Sequence, residues 1–272
     1  MGRSIINAYK HRTMARIGKY RKKTASAQKT KQKKEDKQMK KLIIYGDSIL
    51  RGITYSEQLG RHKLCAGYRL ESVGALGYEI KNRCRMGATI LRGMDILDKT
   101  LDECDKNSVV LFEFGGNDCD HDWHAVSEHP SERHASHISE QTFTECYKKA
   151  IAKVRAAGAE VIMANMIPID ADRYMQTISQ GNSYENILSW LGDPSMLYRF
   201  QEHYNRIVER LSLETGCPLI DLRSEFLLSH DYKALISRDG IHPTEAGHDL
   251  IERTLCDFLK SRAGGTLCTQ SA

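Results

Sequence analysis

Short, continuously apolar runs alternate with longer amphipathic stretches from residue 41 to residue 260. The clearest runs, 42–45 and 108–114, end at glycine-containing segments, which is typical of buried parallel strands that meet a loop. The weakest of them is 69–74. In chain order, the pattern predicts strands at 42–45, 69–74, 108–114, 160–167 and 218–222.

Four longer stretches space their apolar residues three or four positions apart, as one face of an amphipathic helix does. These predicted helices cover 89–104, 142–157, 197–214 and 244–260. Strands that alternate with helices predict an α/β fold, with a parallel sheet covered on both faces. Because ligands of such sheets bind beyond the carboxyl ends of the strands, the strand ends are where we expect the chemistry.

Two segments that follow strands are predicted to be loops that border the site. The segment 119–137 holds five of the eleven histidines, and its spacing matches no known set of metal ligands, so no metal is expected. The segment 169–194 is long and irregular, with polar and aromatic residues. The candidate substrate contacts in these two segments are Asp120, Trp123, His124, Asp170 and Arg173. For the last two, a local ion pair is the alternative.

The basic residues are concentrated at the N-terminus. Residues 1–40 hold 14 of the 40 Lys and Arg but two of the 35 Asp and Glu, so the formal net charge of +5 divides into +12 for this segment and −7 for residues 41–272. This division excludes a uniformly basic nucleic-acid-binding domain, and it predicts a tail, 1–40, and one globular domain, 41–272. The tail is interpreted as a disordered arm, as a contact to nucleic acid or an anionic surface, or as a misassigned chain start.

The chain shows no membrane or secretory signal. No apolar stretch is long enough to span a bilayer, and the N-terminus lacks the apolar core of a signal peptide. The eight cysteines lie far apart, without a C-x-x-C pair, as reduced core thiols do. These features predict a cytoplasmic protein and leave its oligomeric state open.

Four short segments carry the residue types of nucleophilic catalysis. Ser48 follows the first strand, and a serine needs an adjacent base to become a nucleophile. His242 is suited to that role because the ordinary pKa of histidine is about 6.5, and Asp239 lies three residues before it, where it could orient the ring. The backbone N–H groups of Ser48 and Gly87 and the side-chain amide of Asn117 are candidate donors to an oxyanion.

These segments resemble the four sequence blocks of the SGNH (GDSL-type) hydrolases, in the same order. The blocks are Gly46-Asp47-Ser48, Gly87, Gly116-Asn117-Asp118 and Asp239-x-x-His242. Over residues 41 to 260, the resemblance implies a three-layer α/β/α sandwich with a flavodoxin-like five-stranded parallel sheet, strand order 2-1-3-4-5. One departure is that isoleucine follows the serine where the family has leucine.

The resemblance also implies the chemistry: ester hydrolysis through an acyl-enzyme. It makes Ser48 the nucleophile, His242 the base and Asp239 its orienting group, and it places Ser48, Gly87 and Asn117 in the oxyanion hole. We expect no metal and no organic cofactor. His248, in the last predicted helix, is the competing histidine and is interpreted as structural.

The expected substrate is a small-molecule ester, such as an O-acetyl group on a carbohydrate. A lysophospholipid is disfavoured because the two segments that border the site are polar. Two alternatives stay open. One is an inactive hydrolase fold that binds nucleic acid or an anionic surface through the tail, and the other is an acyltransferase with the same triad.

Overall fold

The central sheet of the molecule has five parallel strands. The computed structural model describes residues 39–68 and 70–265, so all but the last two residues of the predicted tail lie outside the described residues. The strands are β1 (Lys40–Gly46), β2 (Ile53–Ser56), β3 (Arg61–Leu64), β4 (Tyr78–Asn82), β5 (Ser108–Glu113), β6 (Glu160–Ala164) and β7 (Leu219–Ile220). The strands β2 and β3 form a separate antiparallel hairpin. The strand order across the sheet is β4-β1-β5-β6-β7. When the strands of this sheet alone are numbered along the chain, the order is 2-1-3-4-5, which confirms the predicted fold and topology.

Helices cover both faces of this sheet. They are α1 (Ser48–Arg51), α2 (Glu71–Ala75), α3 (Ile90–Thr100), α4 (Trp123–Glu128), α5 (Glu140–Ala156), α6 (Ala171–Ile178), α7 (Tyr184–Leu191), α8 (Ser195–Thr215), α9 (Leu222–Leu227) and α10 (Glu245–Gly265). The helices α3, α5 and α8 pack on one face, and α2, α9 and α10 pack on the other. The four predicted helices correspond to α3, α5, α8 and α10. None of the described helices is both long and apolar enough to cross a lipid bilayer.

Successive side chains of the inner strands belong to two different cores. In β1, Ile43 and Tyr45 join the core beneath α3, α5 and α8, while Leu42 and Ile44 join the core on the opposite face. The strand β5 divides its residues in the same way. Because both faces of these strands are buried, their sequences are continuously apolar, which is why the pattern identified them.

The predicted strand at 69–74 is wrong. Residues 71–75 form α2, which Leu70 precedes with a φ of 56°, and the strand is β4, a few residues later. This strand lies at the sheet edge and pairs with β1. Tyr78 and Ile80 pack on one core while Glu79 is exposed, so β4 alternates apolar and polar residues where the inner strands do not.

The two segments predicted to be loops contain short helices. The segment 119–137 holds α4, and 169–194 holds α6 and α7. Each begins at a side-chain cap that accepts a hydrogen bond from the backbone N–H three residues on; the caps are Asp122, Asp170 and Ser183. With α8, these helices bury a third apolar cluster that includes Trp123 and Tyr174.

Candidate active site

Ser48, His242 and Asp239 form a chain of hydrogen bonds. The Ser48 hydroxyl donates to His242 Nε2 at 2.9 Å, and His242 Nδ1–H donates to Asp239 Oδ2 at 2.6 Å. All three side chains are buried. The fold thus brings together the three residues that the sequence singled out, in the arrangement that can remove a proton from a serine.

The exit from β1 fixes the position of Ser48. Asp47 caps α1, since its Oδ1 accepts from the Ile49 N–H at 2.8 Å. A Cβ at Gly46 would lie 2.8 Å from the carbonyl oxygen of Glu113, so only glycine allows β1 to pass β5 this closely. Ser48 is therefore the first residue of α1, and no hydrogen bond among the described residues uses its backbone N–H.

Gly87 lies in the turn between β4 and α3 with a φ of 70°. No heavy atom lies within 4 Å of the position a Cβ would take, so the left-handed backbone rather than the available space requires glycine here. In the described part of the chain, the Gly87 N–H has no hydrogen-bond acceptor. Two of the three predicted oxyanion donors, the Ser48 and Gly87 N–H groups, are therefore unused.

Asn117 follows β5, and its side-chain amide already has acceptors. Its Nδ2 lies 3.1 Å from Asp47 Oδ2 and 3.2 Å from the carbonyl oxygen of Ala88. An amide nitrogen has two N–H groups, so both are used in the free site. An oxyanion would have to compete for one of them.

Asp47 is one of three buried carboxyl groups that interact with one another; the others are Glu113 and Asp118. Burial raises the pKa of Asp47 to about 6 and that of Asp118 to about 7, although backbone N–H groups oppose both shifts. Burial and the neighbouring Asp47 raise the pKa of Glu113 well above its usual range. These groups therefore still hold protons near pH 5, where exposed carboxyls are ionised. Glu113 was not among the residues predicted from the sequence, although a charged residue in a continuously apolar run is a visible signal.

Asp239 accepts four hydrogen bonds. Its Oδ1 accepts from the backbone N–H groups of Ile241 and His242 at 3.1 and 3.0 Å. Its Oδ2 accepts from His242 Nδ1 at 2.6 Å and from His62 Nε2 at 2.9 Å. Burial by itself would raise the pKa of Asp239, but the hydrogen bond and charge of His242, with the two backbone N–H groups, lower it to about 2. Asp239 is therefore an ionised carboxylate, and no sequence pattern predicted that His62 would contact it.

His62, Asp239 and His242 also place one potential metal-ligand atom each within 4.8 Å of one another. The same atoms are joined by the hydrogen bonds just described, and an ion there would displace the protons that hold the network. We assign them to the hydrogen-bond network. The histidines of 119–137 form no comparable cluster among the residues that the structure describes.

A pocket of about 720 Å³, counted up to its open mouth, adjoins Ser48 and His242. Most of the side chains that line it away from Ser48 are apolar or aromatic; they include Trp123, Ile167, Ile169, Tyr174, Leu197 and Phe200. Of the predicted substrate contacts, Asp120 and Trp123 line this pocket.

Asp120 is held by the pocket's own aromatic residues. Its Oδ1 accepts from Trp123 Nε1 at 2.8 Å, and its Oδ2 accepts from the Tyr174 hydroxyl at 2.7 Å. Since each carboxylate oxygen already has a donor, the polar atoms of Asp120, Trp123 and Tyr174 satisfy one another. The faces left for a ligand are mainly apolar.

The other three predicted substrate contacts lie outside the pocket lining. His124 is exposed. Asp170 is buried and forms ion pairs with Arg173 and Lys233 at 3.3 and 3.2 Å. Asp170 and Arg173 thus form the local ion pair that was the alternative to a substrate contact.

His248 does not contact Ser48. Its Nε2 donates to the backbone carbonyl of Ile53 at 3.0 Å. Burial lowers its pKa to about 4, so the ring is neutral near pH 7. It joins the β2–β3 hairpin to α10, in keeping with a structural role.

A family model described as the GDSL-like lipase/acylhydrolase family matches residues 44–250. No curated protein sequence matches this chain significantly. A lipase/acylhydrolase from Enterococcus faecalis is similar in structure, with 18% identity and a TM-score of 0.58 over 82% of this chain and 97% of that chain. A catalytic mutant of an acetylxylan esterase from Geobacillus stearothermophilus is also similar, with 20% identity and a TM-score of 0.54 over 79% of this chain and 92% of that chain. At these identities, the likeness shows the fold.

Proposed function

This chain belongs to the GDSL-like lipase/acylhydrolase family, and we propose that it is a serine esterase that hydrolyses a small ester through an acyl-enzyme. The observation that carries the proposal is the continuous hydrogen-bond chain from Ser48 through His242 to the ionised Asp239. Ser48 is the nucleophile, His242 the general base, and Asp239 the group that holds the ring in the required tautomer.

In the proposed first step, His242 Nε2 takes the hydroxyl proton as Ser48 Oγ bonds to the ester carbonyl carbon. Asp239 stabilises the imidazolium that forms. The tetrahedral intermediate then expels the alcohol, which receives the proton from His242, and the acyl group stays on Ser48. Water then attacks the acyl-enzyme by the same two steps. His242 takes a proton from the water as the water oxygen bonds to the carbonyl carbon, and the acid leaves as Ser48 receives that proton from His242.

The unused N–H groups of Ser48 and Gly87 support their role as oxyanion donors. Asn117 is the third donor in this proposal, and it gives up one of its present acceptors as the oxyanion forms. Loss of one such donor costs about 3 to 4 kcal/mol of transition-state stabilisation.

Two substrate classes are supported by different observations. The sequence-based expectation is an O-acetyl group on a carbohydrate, and the fold is shared with an acetylxylan esterase. The lining by Trp123, Leu197 and Phe200 instead supports an ester with an apolar part of several carbons. Burial of apolar surface contributes about 25 cal/mol per Å², so an apolar group that contacts these side chains would gain binding free energy in proportion to the area it buries.

The test of the esterase proposal compares Ser48→Ala with Ser261→Ala, which changes an exposed serine on α10. We measure covalent labelling by a fluorophosphonate and turnover of p-nitrophenyl acetate. The wild-type chain and Ser261→Ala are expected to label and turn over, and Ser48→Ala to do neither. A wild-type chain that neither labels nor turns over would instead support the inactive binding protein. Transfer of the acyl group to an added alcohol in preference to water would support the acyltransferase.

A further inference from the structure

The β2–β3 hairpin packs against the loop that carries Asp239 and His242, although it is outside the central sheet. Contacts from both of its strands hold it there. Thr54 shares a hydrogen bond with Ser237 at 3.2 Å, and His62 donates to Asp239 at 2.9 Å. The hydrogen bond from His248 on α10 to the start of β2 adds a third contact. The hairpin is therefore fixed relative to the site.

His62 is held between two rings. Tyr55, its partner across the hairpin, meets it edge-on with ring centroids 5.4 Å apart. His242 lies on another side with ring centroids 4.6 Å apart. The side chain of His62 is one-third exposed (33%), and that of Asp239 is almost fully buried (2%). The titratable groups in contact with the His62 ring are thus Tyr55, His242 and Asp239.

The hydrogen bond from His62 completes the set around Asp239. An ionised carboxylate has about four acceptor positions. Three are filled from within the loop, by the backbone N–H groups of Ile241 and His242 and by the His242 ring. The fourth is filled from a residue 177 positions away in the chain. A carboxylate only accepts, so His62 Nε2 carries the proton in this contact.

We propose that His62 is a positioning residue of the active site: its Nε2–H holds the Asp239 carboxylate in the orientation that aligns His242 with Ser48. The inference rests on the proposed esterase function. His62 does not touch the reacting atoms and acts through Asp239. Its donated hydrogen bond also draws part of the negative charge of Oδ2 away from the His242 ring. Without that donor, more charge would face His242 and would favour its protonated form.

The test uses the full chain with three substitutions at one position. His62→Gln keeps an N–H that can reach Asp239, His62→Asn carries the same amide one carbon too short, and His62→Phe keeps the ring without a donor. We measure kcat, KM and the pH–rate profile on p-nitrophenyl acetate, with thermal unfolding as a check of folding.

The Asn and Phe variants are expected to lose about tenfold in kcat, with KM changed less than about twofold, because a hydrogen bond to a charged group is removed. The acid limb of their pH–rate profile is expected to move to higher pH. The Gln variant is expected to stay within about threefold of wild type in kcat. A folded Asn or Phe variant with wild-type kcat and pH profile would overturn the proposal. So would a Gln variant as impaired as the Asn variant.

A second readout does not depend on turnover. The hydrogen bond between His242 Nδ1 and Asp239 Oδ2 is short, at 2.6 Å, so its proton is expected to give a far-downfield resonance in solution. The Asn and Phe variants are expected to shift this resonance, and the Gln variant to shift it less. If the wild-type chain hydrolyses no ester, the proposed function fails while this comparison still tests His62. An unchanged resonance in all three folded variants would overturn the positioning role.

Discussion

Gly87 and Gly216 have nearly the same backbone, with φ of 70° and 65°, and neither has a neighbouring atom where a Cβ would lie. Alanine at either position is expected to lower the free energy of unfolding by about 1 kcal/mol, since both require a left-handed conformation. Only Gly87→Ala should lower kcat, by about tenfold or more, because the backbone that relaxes from this strain turns its N–H away from the oxyanion. Urea unfolding and p-nitrophenyl acetate turnover check both effects. Equal kcat in the two variants would contradict the oxyanion role of Gly87.

Asp118 is expected to make stability depend on pH. Its Oδ1 accepts from the Ile90 N–H at 2.8 Å, its Oδ2 has no partner among the described residues, and burial raises its pKa to about 7 from an ordinary value of 3.8. A raised pKa means that the folded chain binds the proton more tightly than the unfolded chain. The stability contributed is therefore complete below about pH 4 and lost as the pH rises to about 7.

Asp118→Asn keeps an acceptor for the Ile90 N–H without a titrating group. Between pH 5 and pH 7, we expect the free energy of unfolding to fall less in this variant than in wild type. The difference between the two falls is at most a few kcal/mol. Urea unfolding at a series of pH values in both proteins measures the difference. Parallel curves would show that Asp118 does not carry this dependence.

Single residues of the candidate site were predictable where the residues that identify them are close together in the sequence. Ser48, Asp239 and His242 were identified from the sequence because each stands in a short motif at a strand end or in one loop. His62 could not be, because its contact with Asp239 exists only once the hairpin has packed against a loop far away in the chain. Glu113 is intermediate, since its charge within an apolar strand was visible but its burial beside Asp47 was not.

At the scale of elements, the inner strands were predictable because they are continuously apolar, and the long helices were predictable because their apolar residues recur with a helical period. The edge strand β4 was missed although its residues alternate as those of a half-buried strand do, because the alternation covers only five residues and follows Gly74 and Gly77. The helices α4, α6 and α7 have only six to eight residues, too few for a helical period to stand out. Their caps, Asp122, Asp170 and Ser183, were the available signal, because such side chains mark helix starts.

The apolar lining of the pocket leads to a prediction about the acyl chain length of the substrate. Phe200 lies on α8 and lines the pocket, whereas Phe258 lies on α10 and packs on the opposite core. Phe200→Ala is expected to lower kcat/KM on a p-nitrophenyl hexanoate by about tenfold and on the acetate by less than about twofold, because apolar contact is lost only with the longer chain. Phe258→Ala is the control and should leave the ratio of the two rates unchanged.

The same wall decides between the two substrate classes. A rise in kcat/KM from acetate to hexanoate in the wild-type chain would favour an apolar acyl part. A fall along this series, with turnover of acetylated sugars, would favour the acetyl carbohydrate. A change in kcat/KM along a series of esters that differ only in the alcohol would show that the pocket binds the alcohol part.

At the scale of the whole molecule, the excess of basic residues lies in 1–40, whereas all the candidate site residues lie in 41–272. The strand β1 begins at Lys40, and every residue of the site lies after it in the chain. Deletion of residues 1–38 is therefore expected to leave kcat on p-nitrophenyl acetate within about threefold of the full chain. Turnover of the two proteins at equal concentration checks this. A near-complete loss would show that the segment contributes to the site.

The hydrogen bond between Ser48 and His242 joins residues 194 positions apart. Contacts of such long sequence separation close slowly, after local structure has formed. During refolding, helix content should therefore recover before Ser48 reacts with a fluorophosphonate. Covalent labelling of this one hydroxyl would then report when the loop that carries His242 has packed against the end of the first strand, and so when the candidate active site has formed.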